Sequence, residues 1–370
     1  MNSDRRRRAW ADIDLRALQA NLGVVRQFNQ NAAITAVIKS NGYGHGMESV
    51  ARALSQAPVT VDRFAVATID EAVALNMLGM GKPILLLQGF GDAEQARYAI
   101  ESKLEFVIHA DYQLALLKQV LRELPPDRHQ LTVWLKLDTG MNRLGFPLDD
   151  ACAVYSELES IAGSGAVVLM THFACADEPG NPMTAGQIQR FNKAIEGLGA
   201  EQSMANSAGI LNFSESHRDL VRPGILLYGI SPDPDQPASG IGLRPAMTLS
   251  SELIAINHCK KGETVGYGAT YECPEDMRIG VAAIGYGDGY PRHLRNGAPV
   301  LVNGRYARLA GRVSMDLITL DLRGHDDAGV GDPVVLWGKG LPAETLAPWA
   351  DAVPYELICG VTGRITRIAS

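Results

Sequence analysis

The chain has 370 residues, 46% hydrophobic and 20% charged, with a formal net charge of −7; this is a globular composition long enough for two domains. The negative balance leaves no footprint for nucleic acid or an anionic membrane surface, and no run reaches the ~18 continuous apolar residues of a membrane span. Cys152, Cys175, Cys259, Cys273 and Cys359 are odd in number, scattered and free of any Cys-x-x-Cys pair, which argues against a disulfide framework or zinc knuckle and for a reducing, cytoplasmic setting.

At the N-terminus, Arg5 to Arg8 are followed by Ala9-Trp-Ala-Asp-Ile-Asp14 instead of the apolar stretch an export signal requires. That alternating segment predicts a strand. From Ala33 the pattern changes to short apolar runs separated by helical stretches. Strands are predicted at 34–39, 63–67, 83–88, 104–108, 131–137, 166–171, 202–206 and 220–228, and helices at 47–56, 69–80, 111–124, 148–162 and 184–198. Asp92, Asp111 and Thr184 are the expected N-caps. Eight strands alternating with helices over about 200 residues predict parallel βα units closing into an N-terminal (β/α)8 TIM-type barrel.

Past residue 230 the texture changes. Ser231-Pro-Asp-Pro-Asp-Gln-Pro237 reads as a linker. Beyond it come short strands with glycine turns, at 247–257, 264–271, 278–285, 299–302, 306–311, 316–322 and 333–337, with Asn303-Gly304 as a type I′ hairpin signal. The expected organisation is α/β: a barrel over 12–235 and a C-terminal mainly-β domain over 236–370, with residues 1–11 pairing with the latter.

Active sites of such barrels lie at the C-terminal ends of the strands, and that is where Lys39, Lys136, Asp138, His172, Asn206, Ser207 and Arg222 fall. Lys39 ends an apolar strand and is followed by glycines 42, 44 and 46. Burying an ammonium lowers its pKa, and a partly neutral lysine is a nucleophile toward aldehydes; the plainer alternative is a strand-end lysine reaching water before an ordinary turn. The glycines would allow backbone to approach a ligand closely. Asn206-Ser207-Ala208, where a helix begins, and Arg222-Pro-Gly-Ile225 follow strands seven and eight, where barrels often hold phosphate. Taken singly, Ser207 could be a plain N-cap, Arg222 a strand-end ion pair, His172 a core histidine and Tyr267 a turn tyrosine.

Val37-Ile-Lys-Ser-Asn-Gly-Tyr-Gly-His-Gly46 closely resembles the pyridoxal phosphate attachment motif of bacterial alanine racemases. Trp134-Leu-Lys-Leu-Asp-Thr-Gly-Met-Asn-Arg-Leu-Gly145, Thr171-His-Phe-Ala-Cys-Ala-Asp177, Asn206-Ser207 with Arg222 to Ile225, Val265-Gly-Tyr-Gly-Ala-Thr-Tyr271 and Gly311-Arg-Val-Ser-Met-Asp316 resemble further blocks of that family, in the same order. The resemblance implies pyridoxal 5′-phosphate in Schiff-base linkage to Lys39. It implies a phosphate held by Tyr43, Ser207, the Gly224 and Ile225 backbone and Tyr355, with Asn206 beside it. Arg222 would donate to the pyridine nitrogen, His172 would bridge Arg222 and the catalytic tyrosine, and Arg143 would lie near the phenolic oxygen. Lys136 matches a lysine that is N-carbamylated in many members. Family members are homodimers in which Tyr267 is the second acid/base of the partner's site, while Tyr286, Met315 and Asp316 shape the substrate end; Ser314 replaces a cysteine found in some.

Arginine can only donate, so a pyridine nitrogen facing Arg222 stays neutral and is a weaker electron sink, which suits racemisation better than transamination or decarboxylation. The implied activity is interconversion of L- and D-alanine, for peptidoglycan or for alanine catabolism. A decarboxylase of basic amino acids on the same plan is the rival enzyme, opposed by Arg222. A non-catalytic pyridoxal phosphate carrier is the rival of another class, opposed by the C-terminal domain. No metal is implied.

Overall fold

The computed structural model describes residues 8–125 and 131–370; Arg5 to Arg7 of the basic N-terminus lie outside it. Strand β1 (Ala9–Ile13) comes first. The barrel strands follow as β2 (Ala33–Val37), β3 (Arg63–Val66), β4 (Ile84–Leu86), β5 (Glu105–Ile108), β6 (Val133–Lys136), β7 (Val167–Met170), β8 (Glu201–Ser203) and β9 (Leu220–Val221). All neighbours pair in parallel, in the order β8-β7-β6-β5-β4-β3-β2-β9. Main-chain bonds from Asp219 N to Gln202 O and from Arg222 N to Ala205 O bring β9 against β8, so the barrel is nearly closed. Parallel strands are covered on both faces, which is why β5, β6 and β7 are buried at every position. At the lower end of the barrel Arg63 Nε meets buried Glu105 at 3.0 Å, and Trp134 Nε1 donates to the same carboxylate at 2.8 Å.

The helices obey their start signals with two corrections. Asp92 caps Ala93–Glu101 as expected, accepting from Gln95 N. Asp111, however, is the first helical residue, preceded by Ala110 without a side-chain cap. Thr184 is buried inside Pro182–Ala194, whose cap is Asn181; Pro182 favours that earlier start because its fixed φ suits the first helical position.

The C-terminal domain is built around β10 (Met247–Cys259), whose irregularity between Leu253 and Ala255 lets its two halves serve different neighbours. One half pairs with β1 and Pro333–Trp337, the other with Met277–Ala282. The sheet runs on through Ile318–Asp321, Arg305–Leu309 and Pro299–Val302 back to Pro333–Trp337, closing on itself. Strand β1 does join this sheet, to Ile13, two residues beyond the segment expected to do so, and pairs also with the last strand, Thr366–Ala369. Asn303 and Gly304 both take positive φ between paired Val302 and Arg305, as a type I′ turn requires. The strand expected over 264–271 is instead two short pieces around a 3₁₀ turn at Tyr267–Ala269. Strand nine stops at Val221 because Pro223-Gly224 follows, and Ile225–Tyr228 is a 3₁₀ turn. Short helices at Ala343–Leu346 and Pro354–Cys359 lie outside the strand pattern of this half. Among the described residues no helix is long and apolar enough to cross a membrane.

The turn after β2 joins the two halves. Ser40, Asn41, Gly42 and Tyr43 all have positive φ, forming one left-handed turn; for non-glycine residues this costs roughly 1–2 kcal/mol each. Gly44 extends it with φ +80°, and a Cβ there would collide with the carbonyl oxygen of Ile358. Glycine is therefore required here by the contact with the C-terminal domain. Gly44→Ala should lower the unfolding free energy by more than about 2 kcal/mol, against about 1 kcal/mol for Gly79→Ala, where φ is also positive but the space is open. Equal urea midpoints for the two variants would refute the contact.

Candidate active site

A cavity of about 460 Å³ opens at the C-terminal rim of the barrel, within the size range of cofactor sites. Lys39, Lys136, His172, Asn206 and Arg222 all line it, each at or within three residues past the end of its strand.

Lys39 begins the left-handed turn. Ser40 N donates to Glu71 Oε1 at 2.5 Å, and the other Glu71 oxygen accepts from Ala67 N at 2.8 Å as part of a capping box with Thr68. Asn41 Oδ1 accepts from Met47 N at 2.9 Å, and Arg367 Nε donates to Gly44 O at 2.5 Å. The lysine thus stands on backbone fixed from both sides, not on a flexible turn. Burial and then the nearby Arg143 guanidinium hold its ammonium below the ordinary lysine range.

The rest of the cavity is cationic. Lys136 is 8% exposed and is pushed down to about 8, first by burial, then by Arg222 and Arg143, with Asp138 acting in the opposite sense. Arg222 is drawn down to about 10 by burial, so it remains protonated at neutral pH. Its terminal nitrogens donate to Ser203 Oγ, to Thr171 O at 2.6 Å and to Met204 O at 3.1 Å. Three of the five guanidinium hydrogens are thereby engaged and two remain for a ligand. These bonds go to β8 and to the residues just past β7 and β8, not to the His172 ring. Burial, followed by the Arg222 charge, holds His172 well below its ordinary value, so it is a neutral imidazole. Arg143 is exposed at the mouth, on a loop fixed by Asp138 Oδ1, which accepts from Gly140 N and Asn142 N.

At the other end of the cavity, hydroxyl and amide donors converge. Ser207 Oγ accepts from Gly224 N at 2.9 Å. A Cβ on Gly224 would lie 2.5 Å from Tyr43 Oη, so only glycine leaves room for that phenol. The Tyr43 ring stacks on Tyr228 at 4.7 Å and lies 6.2 Å from Tyr355. Burial raises both the Tyr43 and Tyr355 phenols, which stay neutral donors. The N-cap here is Asn206, whose Oδ1 accepts from Gly209 N; this frees the Ser207 hydroxyl from capping. Donors at one end and fixed cations along the walls suit an anionic, phosphate-bearing ligand, and the residues present fit pyridoxal phosphate.

Tyr267, Tyr286, Met315 and Asp316 do not line this cavity. All four are exposed on the C-terminal domain, Tyr267 at 69% and Met315 at 53%. Three of them form one group, since Tyr286 N donates to Ser314 O and Gly287 N to Met315 O. Sequence reasoning missed Cys359, which lines the cavity with its thiol pushed up to about 11 by burial, and also Glu71, Arg367 and Gln88. The capping pattern Thr68-x-x-Glu71 was readable, but nothing local marks it as a support for the Lys39 turn.

Comparison with known proteins matches residues 13–232 to the family model "Alanine racemase, N-terminal domain" and residues 246–369 to "Alanine racemase, C-terminal domain". The alanine racemase of Nitrosococcus oceani is 48% identical over 358 residues, covering 96% of this chain and 98% of that protein. The biosynthetic alanine racemase of Pseudomonas aeruginosa superposes with a TM-score of 0.93 at 41% identity, covering 98% of this chain and 99% of that one. An alanine racemase from Bartonella henselae, solved with covalently bound pyridoxal phosphate, gives 0.88 at 28% identity, covering 98% of this chain and all of that one.

The lowered Lys136 value predicts a stability gradient. The folded lysine titrates near 8 and the unfolded one near 10.4, so between these values the unfolded chain binds more protons and stability rises with pH. Above about pH 10 the buried tyrosines, raised in the fold, act in the opposite sense. In carbonate-free buffer, the unfolding free energy of cofactor-free protein minus that of Lys136→Met should therefore rise from pH 8 to 9.5 by up to about 1.4 kcal/mol per unit. A flat difference in urea titrations would refute the buried-cation assignment.

Proposed function

The chain belongs to the alanine racemase family, and on that footing we propose that it interconverts L- and D-alanine using pyridoxal 5′-phosphate held in the barrel cavity. The observation that carries this reading is the cluster of Lys39, Lys136, Arg143 and Arg222 around one cavity with hydroxyl and amide donors at its far end. When bound, the cofactor supplies an aldehyde whose conjugation acidifies the Cα hydrogen of an attached amino acid. Everything else falls to the protein.

Tyr43, Ser207, Tyr355 and the Gly224 and Ile225 amides bind the phosphate. Arg222 donates to the pyridine nitrogen and, being protonated, leaves that nitrogen without a proton, which disfavours decarboxylation and transamination. Lys39 Nζ, its pKa lowered by burial and then by Arg143, takes the proton from Cα on one face. Inversion needs a second group on the other face, and Tyr267 Oη of a second copy delivers a proton there. Met315, Asp316 and Tyr286 of that copy bound the substrate end, and Arg143, which lines the cavity, would hold the cofactor's phenolic oxygen. Lys136, with a substantial neutral fraction near pH 8, combines with carbon dioxide to give a carbamate and a released proton. This replaces a cation repelled by Arg222 and Arg143 with an anion they attract. The working unit is a homodimer with shared sites, placed in the cytoplasm, and its product serves peptidoglycan or alanine catabolism.

The reading is tested by a chiral assay of purified protein with pyridoxal phosphate against a panel of L-amino acids. Racemisation of alanine above the rest is expected, and carbon dioxide release from basic amino acids would overturn it. For the two-base geometry, Tyr267→Phe should lower turnover in both directions by ~10²–10⁴-fold. Mixed with Lys39→Ala subunits it should regain activity that neither parent has, because each heterodimer holds one intact site. Heterodimers verified by native mass spectrometry that stay inactive would remove Tyr267 from the partner's site.

A further inference from the structure

The exposed group on the C-terminal domain is organised by a side chain that the family resemblance did not single out. Arg364 lies between the short helix Pro354–Cys359 and the last strand. Its Nη2 meets Asp316 Oδ1 at 2.5 Å and its Nε meets Asp288 Oδ1 at 3.3 Å. Asp288 is buried, and its Oδ2 accepts from Gly285 N at 3.1 Å. Thr362 N donates to Asp288 O, and Thr362 Oγ1 donates to Gly287 O at 3.1 Å while accepting from Arg364 N. Gly287 N in turn donates to Met315 O at 2.9 Å. Two glycines make this interlock possible: a Cβ on Gly287 would occupy the place of Arg364 Nη1, and one on Gly285 would strike the Ser314 and Met315 carbonyls. Three chain segments, at 285–288, 314–316 and 362–364, are thus tied around one guanidinium.

We propose that Arg364 is a positioning residue for substrate binding: it offsets the charge of Asp316 and fixes the Met315–Asp316 peptide so that the Met315 N–H can receive the substrate carboxylate. This rests on the proposed function, which puts Met315 and Asp316 at the substrate end of the second copy's site. Alanine arrives with a carboxylate, and the residue next to its docking amide is itself an aspartate. Two like charges so close repel. An arginine already bound to that aspartate offsets the repulsion a carboxylate would meet there, and its planar fork holds Asp316 and Asp288 together as a lysine point charge cannot. Arg364 reaches substrate only through Asp316.

Arg364→Ala should raise KM for both enantiomers roughly tenfold, with kcat changed far less, since the lost interaction concerns binding of the carboxylate equally in ground and transition states. The rise should be larger at low ionic strength, where repulsion is unscreened. Adding Asp316→Asn removes the charge that needed cancelling, so Arg364→Ala/Asp316→Asn should recover most of the KM. A purely structural staple would lower stability without the ionic-strength dependence of KM. If the alanine variant fails to fold, Arg364→Gln, which keeps length and a hydrogen bond but not charge, gives the same comparison. Calorimetric binding of propionate to the pyridoxal phosphate enzyme supplies a readout without turnover, and its Kd should follow the same order.

An unchanged KM, or a double variant no better than the single, overturns the proposal while leaving alanine racemisation standing. Propionate binding that depends on Arg364 in a protein that does not racemise alanine supports the clamp and overturns the activity instead.

Discussion

Four cations converge on one cavity at the top of the barrel, and their mutual repulsion is the constraint on which the site depends. Lys39 comes from the end of β2, Lys136 from β6, Arg143 from the loop beyond it and Arg222 from the end of β9. Two unit charges ~6 Å apart at an effective dielectric of ~20 repel by roughly 3 kcal/mol, so the cluster is costly until something answers it. The protein answers in part. It lowers the two lysines toward neutrality, and it anchors the Arg222 guanidinium on Ser203, Thr171 and Met204, spreading the charge over fixed acceptors. What remains is positive potential that an anion would answer, and it would favour a phosphate-bearing ligand in the cavity and stabilise a carbamate on Lys136.

The second constraint is mechanical. A left-handed turn through Ser40 to Tyr43 would relax in isolation, since its non-glycine residues disfavour that conformation. It persists because Glu71 holds its start, Arg367 grips its end and the Ile358 carbonyl presses on Gly44. Two of those three come from the C-terminal domain, which also contributes Tyr355 and Cys359 to the cavity. The barrel therefore does not own its site: the chain's last 20 residues fix the geometry of residue 39.

Much of this was legible from sequence, for physical reasons that also mark where legibility ends. Barrel strands buried on both faces, such as β5 to β7, read as apolar runs and were found, and polar residues ending such runs had to face the rim; the polar β8 (Glu201–Ser203) was overlapped only in part by the expected 202–206. The Asn303-Gly304 hairpin was readable because its turn type dictates its residues. The end of β9 was overrun because Leu220 to Tyr228 is apolar apart from Arg222, although Pro223-Gly224 cannot continue a strand. Helix starts at Asp111 and Thr184 were misplaced because favourable cap chemistry stands within three residues of the true ends. The supports of Lys39 were not legible at all, since Ile358 and Arg367 lie more than 300 positions away and neither has a chemical reason to be noticed. The joint repulsion of all four cations was likewise visible only once three strand ends and one loop were seen to share one space.

On the proposed reading, the fold also accounts for why inversion at a stereocentre would need a second copy. Groups carried by barrel strands reach a bound cofactor from the floor and walls, and Lys39 is positioned in this way. The opposite face is the one that opens to solvent, so a group acting there must come from outside the barrel. On the same chain, Tyr267, Tyr286 and Met315 are held at the surface of the C-terminal domain by a well-bonded framework, with Leu317 exposed beside Met315. Aromatic and apolar side chains fixed in solvent gain nothing from packing within their own chain. A second copy presenting an open cavity would give them a role, and two-fold symmetry would then complete both sites at once. On this view dimerisation is the step that supplies the second face of the reaction, and the Arg364 interlock holds that face ready before the copies meet.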